Sequence, residues 1–186
     1  MNCPLNMSTI ASDCAPNIGG VKRIWVGSRE KVAINDMAIG YGDCNVEIER
    51  AEGVAGVVFV GVTARPALST ITTTLTYSEE NETMYFRTVV QAVLNRMNQE
   101  KHLFVFSIVS SDAIFVVEDM NGKRWILGPG MEPVFPLLRR VQLTGGSFGS
   151  GTQKSDRNGY DLELSWDSAG PPAELTNIDD TMFDTI

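Results

Sequence analysis

The sequence predicts a mainly β protein, a β-sandwich or open barrel with one packed α-helix. Three observations carry that expectation. Short runs rich in Val, Ile, Thr and aromatic residues recur along the 186-residue chain, some in strict period-two alternation. Only residues 83 to 99, "TMYFRTVVQAVLNRMNQ", repeat apolar side chains at helical spacing. No alternation of strands and helices announces a βαβ unit. With 43% hydrophobic and 20% charged residues, the chain can bury the core of one ordinary domain.

Residues 1 to 20, with Pro, Ser and Asn but no period, read as an N-terminal arm that ends at Gly19-Gly20. The sandwich domain is expected over 21 to 168 and an acidic C-terminal arm over 169 to 186. "KRIWV" (22–26) opens the strands; Val46–Arg50 alternates apolar and charged residues, and "GVVFVGV" (56–62) is β-rich. In Leu68–Tyr77 the side chains of Ile71, Thr73 and Leu75 share one face of a Thr-rich strand. The expected helix at about 83–99 places Phe86, Val89, Val90, Val93, Leu94 and Met97 on one stripe, with Asn81 or Thr83 near its cap. Leu103–Val109 follows as an apolar strand.

"AIFVVEDMNGKRWILGPG" (113–130) spells a β-hairpin. Asn121-Gly122 fits a two-residue type I′ turn, which needs positive φ at both central positions. A calcium loop is excluded there, because Lys, Arg, Trp and Ile follow Gly122 where oxygen ligands would be required. Arg139–Thr144 is a further candidate strand. "GGSFGSGTQKSDRNG" (145–159), with five Gly and three Ser, reads as a flexible loop. Tyr160, Leu162, Leu164 and Trp166 then alternate with Asp161, Glu163, Ser165 and Asp167, the pattern of a half-buried strand. Gly170-Pro171-Pro172 ends it.

Charge narrows the function classes. The net charge is −8, and seven acids but no Lys or Arg lie between Tyr160 and Ile186. Removing those seven from the 23 acids leaves 16 against 15 bases, so the rest of the chain is nearly neutral. Without clustered Lys and Arg, the chain is unsuited to gripping DNA, though an acidic surface can repel it. No apolar run has the length of a membrane span, and the first twelve residues carry no secretory pattern. Cys3, Cys14 and Cys44 match neither a zinc pattern nor a disulfide framework.

The sequence offers no set of catalytic, cofactor-binding or metal residues. His102, the single histidine, stands at the start of an apolar run without a nucleophile or carboxylate beside it in sequence. The Gly-rich loop lacks the spacing of a phosphate loop, and Lys154 and Arg157 in it read as solvated charges. Trp25, Trp125 and Trp166 offer a carbohydrate- or peptide-binding platform as an alternative, although large aromatics are more often core.

The order of the pieces carries a resemblance. A Gly-Gly before "VKRIWV", a long Thr-rich strand, one helix, "VVEDMNGKRWILG", a Gly-rich loop and "SDRNGYDLELSWDSAGPPAEL" follow one another. Over most of residues 19 to 175 this resembles the tail tube and related virion structural proteins of tailed bacteriophages, particularly those of Bacteroidetes hosts. The resemblance implies a β-sandwich with a flanking helix, no enzymatic activity and no cofactor. It implies self-assembly into stacked, commonly hexameric rings, contact with other tail or neck proteins, and double-stranded DNA passing through without specific binding. It places the protein in the virion tail, made in the host cytoplasm and not in a membrane. A head–tail neck ring, or the tube of a contractile injection system, shares these features. The C-terminal arm is then expected to order against a neighbour, with Leu175, Ile178, Met182, Phe183 and Ile186 as anchors. Lys22, Arg23, Arg29 or Lys31 of that neighbour would meet its acids.

Overall fold

The computed structural model describes residues 17–35, 45–78, 83–110, 113–128, 141–153, 155–168, 170–176 and 179–185. In chain order they form β1 (Val21–Ser28), β2 (Val32–Asn35), β3 (Asn45–Arg50), β4 (Phe59–Thr63), β5 (Thr70–Ser78) and β6 (Thr83–Asn95). Helix α1 (Gln99–Ser110) follows, then β7 (Ala113–Asp119), β8 (Arg124–Leu127), β9 (Gln142–Gly149), β10 (Gly159–Ser168), β11 (Ala173–Leu175) and β12 (Phe183–Thr185). The protein is mainly β with a single helix among these residues, as the sequence predicts.

The strands form two sheets, a large one in the order β12-β4-β1-β7-β8-β11-β3-β2 and a small one in the order β5-β6-β10-β9. Strand β7 is an unbroken apolar run because it is buried on both sides. Ala113, Phe115 and Val117 face one core, whereas Ile114 and Val116 face another. The first core lies between the sheets, where Val90, Leu94, Tyr160, Leu162, Leu164 and Trp166 of the small sheet meet the large one. Phe104 and Ile108, one helical turn apart on α1, plug the same core. The second core, around Trp25, Ile48, Phe59 and Met182, sits on the far face of the large sheet. That sheet rolls round it until its ends meet. Arg50 of β3 donates to Asp179 Oδ2 at 2.5 Å and to the Thr181 hydroxyl, just ahead of β12.

Ser69, fully buried, ties the two sheets at their crossover. Its carbonyl accepts from Val21 N at 3.0 Å and its hydroxyl from Val93 N at 3.0 Å.

Helix and strand are exchanged relative to the expectation between residues 83 and 110. Residues 83–95 are a strand, paired with β5 on one side and β10 on the other. Thr88, Val90, Ala92 and Leu94 form a buried period-two row, so sheet pairing on both sides overrides the helical reading of the same apolar residues. The helix lies instead where an apolar strand is expected over 103–109. Arg96, at φ 61°, turns the chain out of β6. Asn98 Oδ1 then accepts from Lys101 N at 2.9 Å, a side-chain cap on the first turn of α1.

Three smaller corrections follow from backbone geometry. The β7–β8 hairpin is present, but positive φ occurs at Gly122 (81°) and not at Asn121. Met120 to Lys123 link the strands, with Asp119 N donating to the Lys123 carbonyl at 2.9 Å, a turn closed by a left-handed glycine rather than type I′. Gly145, Gly146 and Gly149 belong to strand β9 rather than to a loop. The C-terminal arm is part of the domain: β11 pairs with β8 and β3, and β12 lies parallel to β4. Of the expected anchors, Leu175 and Met182 are buried in the chain's own second core and Phe183 packs against it, while Ile178 and Ile186 lie outside the described residues. The N-terminal arm is described only from Asn17, where Ile18 N donates to Asn121 Oδ1 at 2.9 Å.

Candidate functional site

The small sheet presents an exposed outer face with polar side chains from three of its strands. All its neighbours are antiparallel, so β5 and β10 run one way and β6 and β9 the other. Partners across a ladder share a face, which sorts its side chains cleanly. The inner face carries the core rows. The outer face carries Thr70, Thr72, Thr74 and Thr76 of β5, opposite Gln91, Val89, Arg87 and Tyr85 of β6. On β10 it carries Asp161, Glu163, Ser165 and Asp167. Among the described residues neither outer edge, β5 or β9, pairs with a further strand.

Short-range pairing organises the acids of that face. Arg87 Nε and Nη2 donate to Asp167 Oδ1 and Oδ2 at 2.7 and 2.9 Å, a two-pronged bond that holds the guanidinium pKa above its ordinary range. Arg157 pairs with Asp161, and Glu163 accepts from the Thr144 hydroxyl at 3.1 Å. A shallow groove of about 400 Å³ crosses the face between Leu68, Gln91 and Val93 on one bank and Gly145, Ser147 and Glu163 on the other. Beside it, Asp156 accepts from Thr152 N, Thr152 Oγ1 and Gln153 N at 2.8 to 3.0 Å. These bonds hold its carboxyl below the usual carboxylate range and fix the turn after β9.

The residues weighed from sequence are scattered: His102 and Trp166 lie at this sheet, and most of the others on the large one. His102 stands edge-on to the rings of Phe148 and Tyr160, 5.7 and 5.4 Å away. Trp25 and Trp166 are buried, and Trp125, half-buried, donates its indole N–H to Asp119 Oδ2 at 3.3 Å. Lys154 lies outside the described residues. Lys22 and Arg23 reach the buried Glu118 at 3.0 and 3.8 Å. The C-terminal acids take different cations: Asp179 pairs with Arg50, Asp180 with Arg124 at 2.9 Å, and Glu174 with Lys123. Sequence reasoning misses Arg50 and Arg124. Arg124 also lies over the rings of Trp25 and Phe183, 5.1 and 4.9 Å from their centroids. Nothing local in the sequence marks contacts between residues so far apart.

Among the described residues no group of three or more His, Cys, Asp or Glu is placed to hold a metal ion. No helix there is long and apolar enough to cross a membrane. Comparisons with family models, with curated proteins and with solved structures return no match.

Proposed function

We propose that the chain is a structural subunit of a phage tail tube, closing with copies of itself into rings that stack around a DNA conduit. One observation supports the reading above others. Among the described residues the small sheet has two unpaired edges, β5 and β9, that run in opposite directions. Rotation about a ring axis preserves strand direction, so β5 of one copy meets β9 of the next as an antiparallel neighbour. Four alternating strands per copy make that continuation hold at every junction. Edges left open are an aggregation liability for a monomer, and ring closure removes them. The outer face, rich in threonine and bearing Asp161, Glu163 and Asp167, then lines the hole. That wall carries three acids against the two guanidinium groups of Arg87 and Arg157 that pair with Asp167 and Asp161, so it is hydroxylated and only slightly net acidic, a surface that offers a duplex little to grip.

Electron microscopy of the purified full-length chain at high concentration tests this. Rings with a central hole, or stacked tubes, are expected; a strictly monomeric protein even in virion extracts defeats the reading. Quantitative mass spectrometry of particles separates a repeating tube from a neck ring, which contributes a single ring of copies.

A further inference from the structure

Two Asn-Gly pairs occur in the chain, Asn121-Gly122 at the β7–β8 corner and Asn158-Gly159 at the start of β10. A glycine after asparagine presents a main-chain nitrogen with no Cβ beside it, on backbone free to bring that nitrogen to the asparagine Cγ. The two pairs are held differently. Gly159 is buried and paired in the small sheet with Asn95 on one side and Gly149 on the other. Asn158 Oδ1 accepts from Met97 N at 3.0 Å, and its carbonyl accepts from Arg96 N at 2.7 Å. Asn121 and Gly122 are both exposed. Gly122 N donates to the Asp119 carbonyl at 3.2 Å, in a solvent-facing turn that opens more readily than a sheet ladder.

What restrains the Asn121 side chain is the segment that leads into β1. Its Oδ1 accepts from Ile18 N at 2.9 Å, and its Nδ2 donates to the Ile18 carbonyl at 3.2 Å and to Asn17 Oδ1 at 3.1 Å. The amide thus reads Ile18 as a neighbouring strand would, one acceptor for its N–H and one donor for its carbonyl. Met120 N adds a bond to the Gly20 carbonyl at 3.1 Å. The corner itself does not need the amide. Asp119 Oδ1 fixes its backbone by accepting from Asn121 N and Lys123 N at 2.8 and 2.9 Å.

We infer that Asn121 is a site of spontaneous deamidation, guarded while residues 17–20 lie on the corner, and that its conversion loosens them. The Gly122 nitrogen gives up its proton and bonds to Asn121 Cγ. The Cγ–Nδ2 bond breaks, and the NH2 group leaves with that proton as ammonia. Water then opens the five-membered imide at either carbonyl, leaving aspartate or isoaspartate at position 121. Nδ2 is the atom that departs, so its bonds to Ile18 and Asn17 have to break before the step can finish. That is the guard. Neither product restores the clamp. A carboxylate only accepts, and in aspartate it faces the Ile18 carbonyl, another acceptor, near the charge of Asp119. In isoaspartate the main chain runs through the former side-chain carbon, which carries the carboxylate away from Ile18 altogether. The change runs one way, whether or not copies of the chain close into rings.

Holding the full-length chain in mildly alkaline buffer and mapping its peptides by mass spectrometry tests the site. Asn121 is expected to become a mixture of aspartate and isoaspartate while Asn158 stays an amide; equal or faster loss at Asn158 overturns the assignment. Ile18→Pro and Asn17→Ala test the guard. The first removes the N–H that Oδ1 accepts and the second an acceptor of Nδ2, both at exposed positions. Each is expected to unfold like the wild type by circular dichroism and to lose the Asn121 amide roughly two- to tenfold faster, the factor one hydrogen bond supplies. Unchanged rates in both overturn the guard. Amide exchange by NMR tests the release: the Ile18 and Met120 N–H groups are expected to exchange roughly tenfold or more faster after ageing than before. Asn121→Gln, whose longer side chain closes no five-membered ring, is expected to exchange alike before and after. Exchange unmoved by ageing in the wild type, or moved as far in Asn121→Gln, overturns the release.

Discussion

Gly61 lacks only a methyl group, and the structure leaves no room for one. A Cβ at that position would lie 2.1 Å from Trp25 Cδ1 and 2.6 Å from its Nε1, because the indole lies flat over its cross-strand partner. The neighbouring pair repeats the device, with the Phe59 ring over Gly27. Neither glycine is there for a special φ; each is there for the aromatic ring above it. Trp25 in turn packs edge-on against Phe183, 5.3 Å away, which stacks on Phe59 at 4.8 Å. Pushing the indole aside therefore disturbs three rings and the seat of β12. Gly61→Ala is expected to destabilise by ~1–3 kcal/mol, the usual cost of overpacking a filled site. Gly149→Ala, where a Cβ meets nothing within 4 Å, should change stability by no more than ~0.5 kcal/mol. Urea unfolding of the two variants checks the pair. Equal midpoints would mean that the indole is not confined where the structure places it.

At the scale of elements, what was legible depended on how many periods a segment satisfies. The alternation Tyr160-Leu162-Leu164-Trp166 admits only one reading, and β10 follows it residue by residue. Residues 83–95 satisfy two. Phe86, Val90, Val93 and Leu94 fit a helical stripe, and Thr88, Val90, Ala92 and Leu94 fit a strand row. The β-branched and aromatic content (Thr83, Tyr85, Phe86, Thr88, Val89, Val90, Val93) was the signal that should have decided, since such residues suit a sheet between two partners. Conversely, "LFVFSIV" looks like a strand because α1 is apolar on its outward side as well as its inward one. Its legible signal was Asn98 with Glu100 in the first turn, a cap that the apolar run obscured. The surface at which function is proposed was less legible still, because which sheet edges stay open depends on pairings far apart in sequence. The cap makes the reassignment testable. Asn98→Ala removes the acceptor for Lys101 N and is expected to cost about 0.5–2 kcal/mol, lowering the thermal midpoint by a few degrees. A midpoint unchanged from wild type would argue that no helix starts there.

At the scale of the molecule, the C-terminal segment closes the rolled large sheet, and acid should loosen that closure. The seam is built from both ends of the sheet: Arg50 of β3 meets Asp179 and Thr181, Val58 N donates to the Met182 carbonyl at 2.9 Å, and Phe183 completes the aromatic stack. Asp179 holds the turn before β12. Its Oδ1 accepts from the Thr181 hydroxyl at 2.7 Å and from Thr181 N at 3.0 Å. Those bonds, and then the Arg50 hydrogen bond, hold its carboxyl below the ordinary carboxylate range. The sign follows from linkage. A carboxyl whose pKa is lower folded than unfolded contributes stability above its unfolded value, about 3.9, and loses it as pH falls through the folded value. Asp179→Asn is therefore expected to be less stable than wild type by a constant margin above about pH 5, and that margin should shrink as pH drops below about 4. Urea titrations of both chains across pH 2.5 to 7 measure the margin. Trp25 fluorescence reports whether the seam has opened, because the indole is buried beneath Phe183 and Arg124. A margin that grows on acidification would reverse the sign and remove Asp179 from the closure. If the margin follows the expected course, the acidic C-terminal segment is a strand clamped within its own chain, held by the Asp179 turn and the Arg50 seam.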